Sequence, residues 1–190
     1  MSSHIKFDLK QEKKMFLGLD GKNSIILDFP IKLFGLQVGY TYNNRTNLYA
    51  GFYTSHRDTG ILSNPTGGNT IDSNTILQKL KLTYINFGCE YNFHDTKKWR
   101  LSIPFAIGIG GGRTKLYGID GTISDKSYTV IPVEAGFNAK YKLTWWLWIG
   151  AGLGTRLSLA SSKFNGSFYT FGLSIKTGEI YRRVKTHIQN

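Results

Sequence analysis

The chain has 190 residues, of which 41% are hydrophobic, and Lys plus Arg exceed Asp plus Glu by 24 to 12, giving a net charge of +12. This is the length of one domain, and no stretch reaches the roughly 18 consecutive apolar residues that a membrane-spanning helix needs. Any membrane-spanning part must therefore be built from strands. The single cysteine, Cys89, excludes a disulfide framework and a cysteine-based metal site.

Four strands are predicted in the first half of the chain, because apolar residues recur there at every second position. Small or polar residues fill most of the positions between them. The apolar members, strand by strand, are Met15, Leu17 and Leu19; Phe34, Leu36, Val38, Tyr40 and Tyr42; Leu48, Ala50, Phe52 and Thr54; and Ile85, Phe87, Cys89, Tyr91 and Phe93. Cys89 is therefore expected to be a small apolar residue on the apolar face of the fourth strand.

Four longer stretches in the second half alternate in the same way, and their apolar positions carry no charge. They are Arg100–Ile109, Thr129–Leu143, Trp145–Leu159 and Tyr169–Thr177. The opposite positions hold mostly Gly, Ser and Thr, whereas the outer face of a soluble sheet usually carries many Lys and Glu. This combination is typical of a membrane-spanning β-barrel, apolar outside and polar inside. The band expected to face lipid is Leu101, Ile103, Phe105, Ile107, Ile131, Val133, Phe137, Leu147, Ile149, Leu153, Phe171, Leu173 and Ile175.

The eight strands are joined by connections that alternate between short and long. The short ones are Asn44–Thr46, His94–Lys98 and Thr144–Trp146, and the long ones are Gly21–Pro30, His56–Ile76, Tyr117–Ser127 and Ser161–Ser167. Outer-membrane barrels have short periplasmic turns and longer external loops, and only a closed ring leaves no unpaired backbone in hydrocarbon. The sequence therefore predicts an all-β fold, an eight-stranded antiparallel up-and-down transmembrane β-barrel.

The whole chain, residues 1–190, is predicted to be a single β-barrel domain, with the barrel itself at about 13–181. Residues 1–12 and 182–190 are expected to be periplasmic extensions, because both ends fall on the side of the short turns. No apolar segment of a secretory signal is visible at the N-terminus. An exported barrel requires such a signal, so either the signal has been removed or the membrane interpretation is wrong.

Charged residues on the opposite face of the strands are expected to form a polar network in the lumen. They are Glu90, Arg100, Glu134, Lys140, Arg156 and Lys176. Counting the register across the turn at Thr144–Trp146 places Glu134 opposite Arg156, which predicts a cross-strand ion pair. Eight strands leave room for little more than side chains, and an unpaired buried charge is costly. We therefore predict a packed network that fills the lumen; a gated ion path is the alternative.

Aromatic and basic residues are expected at both ends of the barrel. The aromatic girdles are predicted from Tyr40, Tyr42, Tyr91, Phe93, Trp99, Tyr141, Trp145, Trp146 and Trp148 near the short turns, and from Tyr117, Tyr128, Phe168 and Tyr169 at the other end. The basic residues at that other end are Arg57, Lys79, Lys81, Arg113, Lys115, Lys126 and Lys163. A second basic set, near the short turns, is Lys13, Lys14, Arg45, Lys97, Lys98, Arg182, Arg183 and Lys185. Two basic rims match two anionic membrane surfaces better than one nucleic-acid groove, so no nucleic-acid partner is expected.

This pattern resembles the small eight-stranded outer-membrane β-barrel family, the OmpA/OmpX-like barrels of Gram-negative envelopes. The resemblance covers residues 15–181 or so, and rests on the strand rhythm, on Gly-rich segments such as Ile107–Gly112 and Ile149–Gly154, and on the last strand from Phe168 onward. The ending Gly178–Arg183 is similar to barrels of the Bacteroidetes type. The family's last strand commonly ends the protein with an aromatic residue, whereas Tyr181 is followed here by further residues.

We therefore expect a non-enzymatic protein of the Gram-negative outer membrane, with both termini periplasmic and a structural, surface-display or docking role. Its expected partners are membrane lipid and lipopolysaccharide, and no catalytic, cofactor-binding or metal-binding residue is predicted. The alternatives are an accessory subunit of a larger outer-membrane complex, bound to an outer-membrane protein partner, and a soluble ligand-binding barrel. A lipid A-modifying enzyme would use Ser55, His56 and Asp58, but adjacent strand residues point to opposite faces.

Two substitutions follow from the assignment of faces. Ile107→Arg is expected to impair assembly, because a cation in the middle of a bilayer costs about 2–4 kcal/mol. Gly108→Ser is expected to be milder, because Gly108 faces the lumen. Equal effects of the two would contradict the assignment.

Overall fold

A computed structural model of the chain describes residues 13–26, 29–43, 45–55, 59–63, 76–118, 121–178 and 180–181. Strands dominate this part of the chain, which contains no helix long and apolar enough to cross a membrane. The elements are β1 (Lys13–Ile26), β2 (Phe29–Tyr42), β3 (Thr46–Ser55), β4 (Thr59–Ser63), β5 (Ile76–Asp95), β6 (Trp99–Gly118), β7 (Gly121–Val130), β8 (Pro132–Lys142), β9 (Leu147–Ser158), a short 3-10 helix (Ser162–Phe164) and β10 (Gly166–Ile175).

Eight of these strands close into a ring. The hydrogen-bonded order is β1-β2-β3-β5-β6-β8-β9-β10, and β1 closes the ring by pairing with both β2 and β10. Every neighbouring pair is antiparallel. The predicted all-β fold, an eight-stranded antiparallel up-and-down barrel, is therefore confirmed. Closure satisfies the backbone hydrogen bonds of both sheet edges.

Strands β4 and β7 lengthen the wall at one end of the barrel. β4 pairs with residues 76–80 of β5. β7 pairs with residues 110–118 of β6, whereas β8 pairs with the first part of the same strand, and Ile131 separates β7 from β8. We call β4, β7 and residues 76–82 and 110–118 the extension. The opposite end, which holds the turns and bends at residues 43 and 45, 97–98 and 143–146, is called the turn end.

Two of the four predicted long loops are wrong. β1 continues to Ile26 and β2 already begins at Phe29, where Gly21–Pro30 was expected to be a loop. β6 likewise runs to Gly118 and β7 begins at Gly121, inside the predicted loop Tyr117–Ser127. Both hairpins remain paired to these points, although β6 and β7 have a register shift between Leu116 and Tyr117. The Gly and Pro residues at the bounds of these ranges, such as Gly21 and Pro30, lie within strands and do not mark turns. The predicted loop at His56–Ile76 contains β4, and its other residues, 56–58 and 64–75, lie outside the described part, as do the tails 1–12 and 182–190.

Candidate functional site in the barrel wall and interior

The outward face of the barrel carries exposed apolar side chains on all the strands of the ring, and we call them the apolar belt. Among the residues predicted to face lipid, the exposed ones are Ile103, Phe105, Ile107, Phe137, Ile149, Leu153, Phe171 and Leu173. Those half-buried against their neighbours are Leu101, Ile131, Val133, Leu147 and Ile175. The first strands add exposed Met15, Phe34, Phe52 and Phe87, and Cys89 is exposed as well. A belt of this extent marks a surface that contacts something other than water.

The belt has a defined height. On β6 it runs from Trp99 to Ile109, which is about 33 Å along a strand and about 25 Å along the barrel axis at a tilt of about 40°. This equals the apolar band of outer-membrane barrels, about 25 Å. Beyond the belt, charged residues replace apolar ones on the outward face. Ile85 pairs with Ile109 at the edge of the belt, and Lys81 pairs with Arg113 four residues further along the same two strands.

The interior is organised around two buried carboxylates, of which Glu134 has the more buried partners. Glu134 and Arg156 occupy paired positions on β8 and β9, and Arg156 Nε donates to Glu134 Oε1 at 2.7 Å. This is the ion pair that the register predicted. Lys22 Nζ donates to Oε2 at 2.5 Å, and the Tyr84 hydroxyl donates to Oε1 at 2.7 Å. Glu134, Arg156 and Lys22 are all buried, so one carboxylate accepts hydrogen bonds from two buried cations.

Lys22 and its aromatic neighbours were missed by the sequence analysis. The Lys22 ammonium lies 3.8 Å from the centre of the Tyr53 ring, and Tyr53 stacks on Tyr84 with ring centres 5.2 Å apart. The Tyr53 hydroxyl in turn donates to Asp20 Oδ2 at 2.9 Å. Because the range Gly21–Pro30 was assigned to a loop, Lys22 was not expected in the lumen. Continuing the alternation of β1 by two residues would have placed it there.

Glu90 forms the second cluster, on the side of the turn end. Lys140 Nζ donates to its Oε2 at 2.6 Å, and Asn47 Nδ2 donates to the same oxygen at 2.8 Å. The Ser102 hydroxyl donates to Oε1 at 2.5 Å, and Asn138 Nδ2 reaches that oxygen at 3.3 Å. Glu90 is buried, whereas the Lys140 side chain is 22% exposed. This carboxylate thus has one cation and three neutral donors.

Trp148 fills the lumen at the turn end, contrary to its predicted place in the aromatic girdle. It is buried, because its even position on β9 shares the inward face with Arg156. The Arg100 guanidinium lies 4.6 Å from the centre of its ring, Lys176 Nζ 4.8 Å and Lys142 Nζ 6.0 Å. Arg100 also donates to Asp95 Oδ2 at 2.7 Å. The six residues predicted to form the lumen network are thus divided among three places: Glu134 with Arg156, Glu90 with Lys140, and Arg100 with Lys176 around Trp148.

The interior near the extension is apolar, which the prediction of a polar lumen did not anticipate. Its buried members are Ile26, Ile31, Leu33, Tyr53, Leu80, Leu82, Tyr84, Val130 and Phe164. Phe164 belongs to the 3-10 helix and contacts Tyr128, with ring centres 5.8 Å apart. A Cβ on Gly112 would lie 2.1 Å from the Phe164 ring, so a glycine is needed beneath it. Tyr128 and Phe168 were predicted to be girdle residues, but Tyr128 packs on this cluster and Phe168 lies 5.2 Å from Lys22 Nζ. We call the nine buried residues of this apolar interior, from Ile26 to Phe164, the apolar plug.

A small cavity lies between the two carboxylate clusters. Its volume is about 80 Å³, which is enough for a few water molecules. Its lining includes Asp20, Lys22, Glu90, Glu134, Lys140, Trp148, Tyr49 and Phe168. Side chains therefore fill most of the lumen, and a small cavity lined by both charged and apolar side chains remains between the two clusters.

Among the described residues, the structure gives little support to the alternative that the chain is a lipid A-modifying enzyme. Ser55 is buried, and its hydroxyl accepts a hydrogen bond from the Leu82 N–H at 3.2 Å. The other candidates, His56 and Asp58, lie outside the described part of the chain. No group of three or more His, Cys, Asp or Glu side chains is placed to hold a metal ion among the residues that the structure describes.

Solved structures with the same architecture come from bacterial outer membranes. The N-terminal β-barrel domain of Pseudomonas aeruginosa OprF aligns over 87% of this chain and 97% of that domain, with a TM-score of 0.57 and 14% identity. Ail, the attachment invasion locus protein of Yersinia pestis, aligns over 86% of this chain and 96% of its own, with a TM-score of 0.55 and 15% identity.

A major outer membrane protein from Thermus thermophilus aligns over 87% of this chain and 99% of its own, with a TM-score of 0.58 and 11% identity. No protein-family model matches the sequence, and no curated protein matches it. The similarity therefore concerns the fold. The chain has the fold of the small eight-stranded outer-membrane β-barrels.

Proposed function

We propose that the chain is a non-enzymatic outer-membrane β-barrel whose lumen is closed, with both termini in the periplasm and the extension outside the cell. The observation that carries this proposal is the arrangement of charge around the wall. Apolar side chains face outward over about 25 Å, while Glu134, Arg156 and Glu90 are buried inside. A water-soluble barrel would have the opposite arrangement, because burial of apolar area is its main source of stability.

Closure of the lumen is supported by the side chains stacked along its axis. Arg156, Tyr53, Tyr84 and Phe164 are each almost completely buried. They link the Glu134 cluster to the apolar plug without a gap in the contacts. An ion crossing the barrel would have to separate the Glu134 ion pairs and then enter the apolar plug, and both steps cost several kcal/mol. We therefore favour a closed barrel over a channel.

The role that fits a closed barrel is at the cell surface, in display, docking or support of the envelope. Transport needs an open path, and catalysis needs a nucleophile and base within hydrogen-bond reach. Ail is an attachment invasion locus protein with the same fold, which supports a surface role for a barrel of this size. A stable partner recovered in mild detergent would instead favour an accessory subunit of a larger complex.

The proposal is tested by folding and conductance measurements on the full chain. The protein is refolded into vesicles of phosphatidylcholine, and gel migration is compared with and without boiling. A closed barrel should migrate as a compact species until it is boiled, and planar bilayers that contain it should show no steady conductance above the lipid background. Solubility without detergent or lipid would contradict the membrane assignment, and stable open channels would contradict the closed lumen.

A further inference from the structure

The cavity between the two carboxylate clusters is lined by polar groups that have no partner in the described part of the protein. Trp148 lines the cavity and is buried, and its indole Nε1–H has no hydrogen-bond acceptor. Three hydroxyls of the same lining form no hydrogen bond with any described residue, and they belong to Tyr49, Thr170 and Ser174. Since buried polar groups are nearly always hydrogen-bonded, to protein, water or a ligand, we expect these groups to bond to an occupant of the cavity.

Two side chains from β1 and β2 add acceptors to this lining. The Asp20 carboxylate accepts one hydrogen bond, from the Tyr53 hydroxyl to Oδ2 at 2.9 Å. Gln37 Nε2 donates to the same hydroxyl, and its Oε1 accepts no hydrogen bond from the described residues. Asp20 and Gln37 both line the cavity and are only half-buried, although they face the inside of the barrel. An occupant would therefore find acceptors on one wall and the Trp148 donor on another.

Glycines in the wall keep this space open. Gly18, Gly150 and Gly172 line the cavity. At Gly152 a Cβ would collide with Asn138 Oδ1 and lie 2.9 Å from Thr170 Oγ1, so a larger residue there would push two lining side chains inward. The cavity volume of about 80 Å³ corresponds to about five to eight positions of the size of a water molecule. A molecule with about six non-hydrogen atoms fits this space.

The charges around the cavity favour a neutral occupant. Glu90 is paired with Lys140 at 2.6 Å, and Glu134 is paired with Lys22 at 2.5 Å. Counted with the second cation of Glu134, the charges of this region cancel: Asp20, Glu90 and Glu134 against Lys22, Lys140 and Arg156. An ion would have to lose its water and would compete with one of these pairs, which is costly in a buried site. A hydroxyl group both donates and accepts, so it can satisfy Asp20 and Trp148 without disturbing either pair.

We propose that the cavity binds one molecule of a small neutral polyol, of about the size of glycerol, which enters from the turn end. Besides its polar groups, the lining contains the rings of Phe16 and Phe168, and small-molecule sites typically combine aromatic walls with a few polar groups. The apolar plug closes the other side of the lumen. At the turn end, Trp148 and the half-buried Lys142 beside it separate the cavity from the outside. This inference goes beyond the proposed function, because it does not depend on which membrane surrounds the barrel.

The test follows the indole N–H of Trp148 by NMR in the folded full-length protein. The chain contains four tryptophans, and Trp148→Phe identifies the Trp148 signal. Protein with ¹⁵N-labelled indoles is titrated in micelles with glycerol and, separately, with sorbitol, which carries the same groups but is too large for the cavity. Glycerol should shift the Trp148 signal until it saturates, whereas sorbitol should not. The other indole signals should show no saturable change.

Two matched substitutions test whether the cavity is the site. Thr170→Val removes a hydroxyl from the lining, and the loss of one hydrogen bond should weaken glycerol binding about three- to tenfold. Thr155→Val makes the same change on the outward face of β9, at an exposed position, and should leave the affinity unchanged. Gel migration with and without boiling is recorded on every sample to confirm folding. If Thr170→Val does not fold, Ser174→Ala provides the same comparison.

Three results would overturn the inference. The first is a Trp148 shift that rises linearly with glycerol or is equal for sorbitol, because it would be an effect of the solvent. The second is an equal affinity of Thr170→Val and Thr155→Val, which would place glycerol outside the cavity. The third is transfer of magnetisation from water to the Trp148 indole without any saturable response to glycerol, which would show that the cavity holds water only.

Discussion

The part of the barrel that carries the apolar belt, called the spanning part, and the extension have opposite distributions of charged and apolar side chains. In the spanning part, Phe105 and Phe171 are exposed on the outside, and Glu134 is buried inside. In the extension, Lys81 faces outward and Leu82 is buried within. The same strand, β5, contributes to both regions without a break in its alternation. The switch in chemistry therefore reports a change in the medium outside the wall.

This reversal has a simple physical reason. Next to hydrocarbon, moving an apolar side chain from the outside to the inside of the barrel releases no hydrophobic free energy, because both environments are apolar. The interior of the spanning part must then be held by hydrogen bonds and ion pairs. Next to water, each Å² of apolar area that is buried contributes about 25 cal/mol, so the extension is stabilised by an apolar interior. Each region is thus stabilised by the interaction that its surroundings make favourable.

The strongest way to test this comparison is to remove the carboxylate at the centre of the spanning part. Glu134→Gln removes the carboxylate that both Lys22 and Arg156 contact, and loss of one partner from a buried ion pair typically costs about 3–5 kcal/mol. We expect the variant to unfold at a clearly lower denaturant concentration in vesicles, measured by tryptophan fluorescence and gel migration.

Glu90→Gln is the matched control for Glu134→Gln. It removes the same charge from a cluster in which Lys140 is 22% exposed and can reach water near the turn end. Its effect should be clearly smaller, because the remaining cation can be hydrated. If the two substitutions destabilise the barrel equally, burial of the partner cations does not decide the energetics, and the ion network is less important than we propose.

The second test places the same cation in the belt and in the extension. Phe105→Arg puts a charge near the middle of the belt, and Ser127→Arg puts one on an exposed outward position of β7. The belt substitution should cost about 2–4 kcal/mol of folding in vesicles, whereas Ser127→Arg, which faces Arg113 across the strand pair, should cost less than about 1 kcal/mol. The free energies are compared from urea titrations in thin bilayers. A tolerant belt would mean that Phe105 does not contact lipid chains.

The sequence was most informative where the register could be counted from a nearby turn. Glu134 and Arg156 flank one short hairpin, so their pairing followed from parity and was confirmed. Lys22 contacts Glu134 although the two residues are 112 positions apart in the sequence. How far apart their strands lie in space is decided only by closure of the ring. No local pattern contains that information. Phe164 enters the lumen from a connection rather than a strand, so alternation could not place it.

Alternation shows which face a residue lies on but not how much space is there. Trp148 was assigned to a girdle by its residue type, although its parity put it inside with Arg156. Gly108→Ser was expected to be milder than Ile107→Arg because Gly108 faces the lumen. A Cβ there would lie 2.5 Å from the Ile85 carbonyl oxygen, so the interior has no room for it. Parity gave the correct face in both cases, and only the packing shows how much space each side chain has.

Glycine substitutions therefore form the third test of the comparison. Gly108→Ser in the spanning interior must displace backbone, and such overpacking costs about 1–3 kcal/mol. Gly111→Ser, three residues further along β6 on the outward face, would meet nothing closer than the Tyr128 carbonyl oxygen at 3.9 Å. We expect the first to lower the midpoint of urea unfolding and the second to leave it unchanged. The reverse order would show that the two faces of β6 are assigned the wrong way round.

The smallest effect is expected for the exposed ion pair of the extension. Hydrogen bonds from Arg113 hold the pKa of Asp125 below its ordinary value of 3.8. Since this pKa is depressed in the folded state, the stabilisation is present above the unfolded value and is lost as the pH falls through the lower, folded value. Arg113→Gln should raise the pKa of Asp125 toward 3.8, measured by carboxyl ¹³C NMR in micelles.

Lys115→Gln is the control for this measurement, because its ammonium is 3.8 Å from the carboxylate and contributes less than the guanidinium. It should raise the pKa of Asp125 by a smaller amount, and neither variant should shift the urea midpoint measurably, since exposed pairs contribute little. A large loss of stability in Arg113→Gln would mean that the extension depends on its surface charges as strongly as the spanning part depends on Glu134. The contrast between the two regions would then reflect their sequences and not the medium that surrounds each of them.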